Sequence, residues 1–311
     1  YSPDHNSSPH NSNGLIGYDN EVSGQQLVCL HGFGGSGLDF EQLGLALATR
    51  RVIAPNLPGH GGLRFDEWST TRHIAALRER IKLPVDILGY SMGARVALHW
   101  ILERKLPVRS LTLIGGTPGL RTETERLERL NFESAVSHRL KTNTPSEFQN
   151  WWASLPIIKS QIRMPKPAYD AMTLRRQKNS LPCLYQALSE WSTARRPNLW
   201  KRLIEIKVPV MLIAGAKDLK YLELSREMRE KFMVYNPILD DFLCIRSSNR
   251  ARKSPAVKNS LSGDRAREAF RQKQSDSSRL SQVFKLDANA FYDDGLQSSE
   301  AESEAGTFEE G

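Results

Sequence analysis

Five residues, Gly89-Tyr90-Ser91-Met92-Gly93, sit between an apolar run at 85–88 and a helix-like stretch at 94–102. A serine flanked by glycines in a strand-to-helix turn is the pattern of a nucleophile elbow. Such a turn strains the serine backbone, and side chains at positions 89 and 93 would collide with neighbouring backbone. The Ser91 hydroxyl would then stand at a helix N-terminus, where developing negative charge is favoured. The bland alternative is an ordinary glycine-flanked turn. A second segment argues against it: Leu30-His31-Gly32-Phe33-Gly34-Gly35-Ser36-Gly37 follows an earlier apolar run. With an elbow, a loop of this kind gives one oxyanion-hole amide and the residue after the nucleophile gives the other, which points to the backbone N–H groups of Phe33 and Met92. The loop could instead cradle a dinucleotide, but no GxGxxG spacing fits it and no acidic residue follows on a strand at the required distance. Leu57-Pro58-Gly59-His60-Gly61 follows the next apolar run.

These loops need a scaffold, and the pattern from Gln26 onward supplies one. Short apolar runs at 27–30, 51–54, 85–89, 111–114 and 208–214 alternate with helix-like stretches at 38–49, 70–81, 91–104 and 221–231. That alternation predicts an α/β fold, a mostly parallel sheet with helices on both faces. The stretch 122–202 carries Trp151, Trp152, Trp191 and Trp200 in helix-like patterns with no clear strand, so a helical cap over about 120–202 is expected. The domain is expected to span 25–232, after a linker over 1–24 and before a divergent, disordered tail over 233–311. The linker opens on Tyr1 and shows no apolar signal segment, as a processed start or a fragment of a longer chain would.

Composition removes other classes. The 311 residues include 43 Lys and Arg against 35 Asp and Glu, a net charge of +8. Residues 246–286 carry eleven bases and three acids, and residues 287–311 carry eight acids and no base, so the two blocks cancel. The excess therefore belongs to residues 1–245, which favours a pocket for a small anion over a nucleic-acid surface. The longest apolar run, near 208–216, is about half of the roughly 20 residues a membrane span needs. Cys29, Cys183 and Cys244 are odd in number and show no CxxC spacing, which suits a reducing compartment and argues against structural zinc.

In order, HGFGG, LPGHG, GYSMGARVAL, GGTPGL, a helical cap and AGAKDLKY resemble the α/β-hydrolase superfamily over residues 26–231. More narrowly, GYSMGAR, TPGL, RRPNLW and KDLKY resemble the 2-succinyl-6-hydroxy-2,4-cyclohexadiene-1-carboxylate synthases of menaquinone and phylloquinone biosynthesis, above all the last domain of the multifunctional phylloquinone-pathway protein of plants and algae. The resemblance implies a lyase on a hydrolase scaffold, eliminating pyruvate from a polycarboxylate that carries an enolpyruvyl group. It implies Ser91 as catalytic base or nucleophile, Asp218 as the triad acid, and Tyr90, Arg95, Arg129, Trp151 and Arg176 as substrate contacts, with Arg175 a close competitor of Arg176. It implies no cofactor or metal, covalent fusion to other pathway domains, and a plastid stroma, with the cytoplasm as the alternative. Asp218 also has a plainer reading as a cap of the following helix, and each arginine has one as surface charge.

A triad needs an imidazole to take the serine proton. The histidines are His5, His10, His31, His60, His73, His99 and His138, and none follows Asp218. Family members carry a Gly-His loop there, and the resemblance also leaves a final strand and helix missing. Three explanations stand: foreign sequence beyond about residue 233, a non-catalytic relative that kept its pocket, or an upstream substitute such as His31 or His60. The competing functions are a carboxylic-ester or C–C hydrolase and a catalytically dead binding domain of a fusion protein.

Overall fold

The computed structural model describes residues 15–233, apart from 65, 66, 68, 216 and 217. The expected tail beyond residue 233, with Cys244 and the place of a final strand and helix, lies outside the described residues, as does the linker before residue 15. The strands are β1 (Ile16–Asp19), β2 (Gln26–Leu30), β3 (Arg51–Pro55), β4 (Val85–Tyr90), β5 (Val108–Ile114) and β6 (Val210–Ile213). The helices are α1 (Glu41–Ala46), α2 (Thr70–Arg78), α3 (Met92–Arg104), α4 (Glu123–Thr142), α5 (Pro145–Ser154), α6 (Pro156–Lys159), α7 (Lys166–Gln177), α8 (Leu181–Glu190) and α9 (Leu219–Met233).

The sheet runs β1-β3-β2-β4-β5-β6, with β1 antiparallel to β3 and every other pair parallel. Period-two alternation sorts its side chains between two faces. Val28, Leu30, Ile87, Leu111 and Leu113 pack with α2, α3 and α9, whereas Leu27, Cys29, Val52, Ala54 and Leu88 pack with α1. Both faces are covered, as a parallel sheet requires.

Departures from the sequence reading have local causes. β1 lies inside the stretch read as linker. It is short and mostly polar, and it is held by pairing with β3 and by Gly44, where an added Cβ would stand 2.3 Å from the Tyr18 hydroxyl. The stretch 38–49 divides into a 3₁₀ turn (Gly37–Phe40) and the shorter α1. β6 starts at Val210, because Pro209 has no N–H for the ladder and only accepts from Leu111 N–H at 2.9 Å.

Helices α4 to α8 form the cap. Thr122 and Glu125 make a capping box at the start of α4, and Thr144 and Glu147 make another before α5, which has Pro145 in its first turn. Val136, Leu140, Phe148, Leu181, Leu184 and Leu188 close the cap's own small core. It stands above the C-terminal ends of the parallel strands, where open α/β sheets bind ligands.

Candidate active site

Ser91 follows β4 and precedes α3 with φ 52° and ψ −110°, a left-handed φ rare for a side-chain-bearing residue. The flanking glycines are required by contact. A Cβ on Gly93 would lie 2.0 Å from the Leu30 carbonyl oxygen, and one on Gly89 would lie 2.5 Å from the Gly93 oxygen. The turn therefore presses against β2, and the loop expected to give an oxyanion-hole amide starts where β2 ends. A Cβ on Gly32 would lie 3.1 Å from the Tyr90 ring and 3.6 Å from Ser91 Cβ, so this loop and the serine are direct neighbours.

The Phe33 and Met92 amides have no hydrogen-bond partner among the described residues, as donors awaiting an oxyanion would. The loop around them is fixed from several sides. Gly34 N–H donates to His60 Nε2 at 3.0 Å, and Asn179, from the corner between α7 and α8, donates to the Gly34 carbonyl at 2.8 Å. The same Asn179 accepts from Gly61 N–H at 3.1 Å, joining the cap to both glycine-rich loops. The Phe33 ring meets the His60 ring at 5.7 Å and the Trp152 ring at 5.2 Å.

His31 and His60 are structural. His31 Nδ1 faces the Gly32 carbonyl at 2.8 Å and must carry the proton, which leaves Nε2 to accept from Leu57 N–H at 2.9 Å. His60 Nε2 is likewise an acceptor, while its Nδ1 faces the Pro58 carbonyl at 3.3 Å. Burial lowers His31 from 6.5 to about 4, and burial with the nearby His31 lowers His60 to about 3. Both stay neutral with each nitrogen occupied, so neither is free to deprotonate Ser91. The folded values lie below the unfolded one, so this stabilisation is complete above pH 6.5 and is lost as pH falls toward the folded values. Urea midpoints measured at pH 7 and pH 5 are expected to show a loss of roughly 2 kcal/mol per histidine; equal midpoints would contradict it.

Asp218 follows β6. Its Oδ1 accepts from Tyr221 N–H at 3.1 Å, so it caps α9, and Oδ2 has no hydrogen bond among the described residues. Its charge reaches the Tyr90 phenol, which burial pushes above its ordinary value. Tyr90 ends β4 beside Gly32 and also feels the Arg176 guanidinium.

Arg95, one turn into α3, donates to the Trp191 carbonyl at 3.2 Å, while its buried Nε has no partner among the described residues. Burial and the nearby Arg129 guanidinium bring it down to about 10. Arg129 on α4 therefore shares its surroundings. Arg176 donates to Gln161 at 2.7 Å and is lowered by burial, whereas Arg175 makes an ion pair with Asp39 at 3.0 Å. Of these two, Arg176 is the one whose charge acts on Tyr90. Trp151 lies over Phe148 and under the Arg139 guanidinium within the cap. The indole against the oxyanion loop is Trp152, because successive residues of α5 point about 100° apart. Asn179 and the buried Glu133 carried no signal in the sequence beyond the i,i+4 spacing of Glu133 from Arg129.

Among the described residues, no cluster of three or more His, Cys, Asp or Glu is placed to hold a metal, and no helix is long and apolar enough to cross a membrane. The alpha/beta hydrolase family matches residues 27–240. The chain belongs to that family. A Bacillus subtilis relative named putative 2-succinyl-6-hydroxy-2,4-cyclohexadiene-1-carboxylate synthase is 33% identical over 66% of this chain and 78% of its own length. Protein PHYLLO, chloroplastic, from Arabidopsis thaliana is 28% identical over 70% of this chain, which spans only 14% of that relative. The solved structure of MenH from S. aureus superposes with a TM-score of 0.63 at 29% identity, covering 74% of this chain and 87% of that one.

Proposed function

We propose that this hydrolase-family chain is built to eliminate pyruvate from a polycarboxylate and form 2-succinyl-6-hydroxy-2,4-cyclohexadiene-1-carboxylate, in quinone biosynthesis. The names of its relatives support that reaction. The carrying observation is the gathering of arginines around a strained serine: Arg95 one turn from Ser91, Arg129 close to Arg95, and Arg176 acting on Tyr90. A neutral ester needs no such array, whereas carboxylates entering a partly dry pocket need guanidinium partners to offset desolvation.

In this reading the arginines, with Trp151 or its neighbour Trp152, seat the substrate. A proton leaves carbon toward Ser91, the C–O bond to the enolpyruvyl group breaks, and the departing enolate takes up a proton to become pyruvate. The Phe33 and Met92 amides hold the oxyanion that forms on the way. Asp218 would orient the histidine that such a serine requires, and no histidine follows it in the sequence. A second reading, a pocket kept for binding without turnover, draws support from the full engagement of His31 and His60. A hydrolase domain that starts with β1, ahead of the expected limit at residue 25, belongs to the same proposal, as do fusion to other pathway domains and a plastid setting, supported by the small share of the chloroplastic relative that the chain spans.

The test is equilibrium binding of 2-succinylbenzoate, a stable aromatic dicarboxylate with the succinyl and ring carboxylates of the proposed product. Arg95→Met is expected to weaken binding at least about tenfold, the scale of a lost charge-assisted hydrogen bond. Unchanged affinity would favour a plain ester hydrolase.

A further inference from the structure

Glu133 is a carboxylate buried on the cap, 6% exposed, and it faces the arginines rather than solvent. One oxygen accepts from Arg129 Nε at 2.6 Å and the other from Ser192 Oγ at 2.5 Å. Ser192 in turn accepts the Ala194 and Arg195 N–H groups, both at 3.2 Å, so its proton is committed to Glu133. Arg129 uses Nε for this bond and lies over the Phe132 ring at 5.2 Å; its terminal nitrogens have no hydrogen bond among the described residues. Arg95 feels the charges of both Arg129 and Glu133, and it is anchored to the carbonyl of Trp191, the residue before Ser192.

We propose that Glu133 is the pocket's built-in counter-anion, a specificity-determining residue that sets how many ligand carboxylates the Arg95–Arg129 pair will take. The proposal rests on the arginine-clamp reading above. Two guanidiniums close together, Arg95 with its Nε out of water and Arg129 half-buried at 29% exposure, would repel each other in the empty site without a carboxylate. The same pair, uncompensated, would hold a polyanionic product too tightly to release it. An internal carboxylate answers both needs: it neutralises one charge at rest, and it opposes each added ligand carboxylate. The terminal nitrogens of Arg129 remain available, because Glu133 uses only Nε.

The sign of one substitution separates this role from a structural one. In Glu133→Gln, the amide oxygen still accepts from Arg129 Nε while the negative charge is gone. The affinity for 2-succinylbenzoate is expected to rise threefold or more, and the rise is expected to be smaller for its monoester, which carries one charge fewer. A residue that merely props up the cap would, when altered, weaken binding or leave it unchanged, and either result overturns the proposal. Should Glu133→Gln fail to fold, Glu133→Asp keeps the charge and is expected to bind within about twofold of the unaltered chain, and a shift beyond threefold overturns it. If the unaltered chain does not bind the dicarboxylate, the clamp reading fails and this proposal with it; binding that is lost in Arg95→Met but not raised in Glu133→Gln sinks this proposal alone.

Discussion

Pyruvate release by the 311-residue chain is expected to run about 10⁴-fold or more below that of a relative with a complete triad. The reason lies in what can reach Ser91. The serine is held in its strained turn and the Phe33 and Met92 amides are unpaired among the described residues, but a serine hydroxyl needs a base to take its proton. Every histidine precedes Asp218 in the sequence. His31 and His60, on the loops after β2 and β3, have both nitrogens engaged, and burial keeps them neutral. His73 is bonded to the Asn56 carbonyl at 2.8 Å, and His99 sits on α3 beside Glu103 and Trp191. His31 and His60 are thereby set aside as upstream substitutes, which favours foreign sequence or a binding-only relative.

The purified chain should therefore bind the dicarboxylate while turning substrate over at the residual rate that an oxyanion hole and a clamp sustain. Joining a Gly-His loop and its following helix from a relative after residue 233 is expected to raise that rate at least about 10³-fold, since Asp218 has an oxygen unengaged among the described residues to orient an imidazole. Pyruvate release at ordinary enzyme rates from the chain as it stands would refute the argument. No gain on adding the loop would refute the placement of Asp218.

What could be read in the sequence and what could not divides along contact range. The elbow, the oxyanion loop and five of the six strands are local patterns, a few residues each with apolar or glycine content that permits little else. β1 escaped because its four residues gain their stability from β3, more than thirty residues later. Asn179 escaped for the same reason: its partners Gly34 and Gly61 lie 145 and 118 residues away, and a lone asparagine in a cap has no signature. The choice between Trp151 and Trp152 depends on the rotational phase of α5, which two adjacent tryptophans do not reveal. Arg175 and Arg176 pose the same problem, and there the structure separates them, giving Asp39 to the first and the surroundings of Tyr90 to the second.

Gly93→Ala is expected to abolish the cooperative fold, or to cost at least about 4 kcal/mol, beyond the usual ~1–3 kcal/mol of an overpacked site. The added methyl carbon would stand 2.0 Å from the Leu30 carbonyl oxygen and 2.8 Å from that of His31. These are backbone atoms of two fully buried residues, Leu30 at the end of β2 beside Gly89 of β4 and His31 just after it, so no side chain can turn aside to make room. Relief would require α3 to move off β2, which would carry Ser91 and the Met92 amide away from Phe33. Gly62→Ala is the control. Its φ of 87° strains an alanine, yet an added Cβ meets nothing within 4 Å, so a loss of about 1 kcal/mol is expected. Denaturant unfolding of both variants checks the pair. Similar losses would mean that the elbow yields, and that the close approach of α3 to β2 is not what holds the serine against the oxyanion loop.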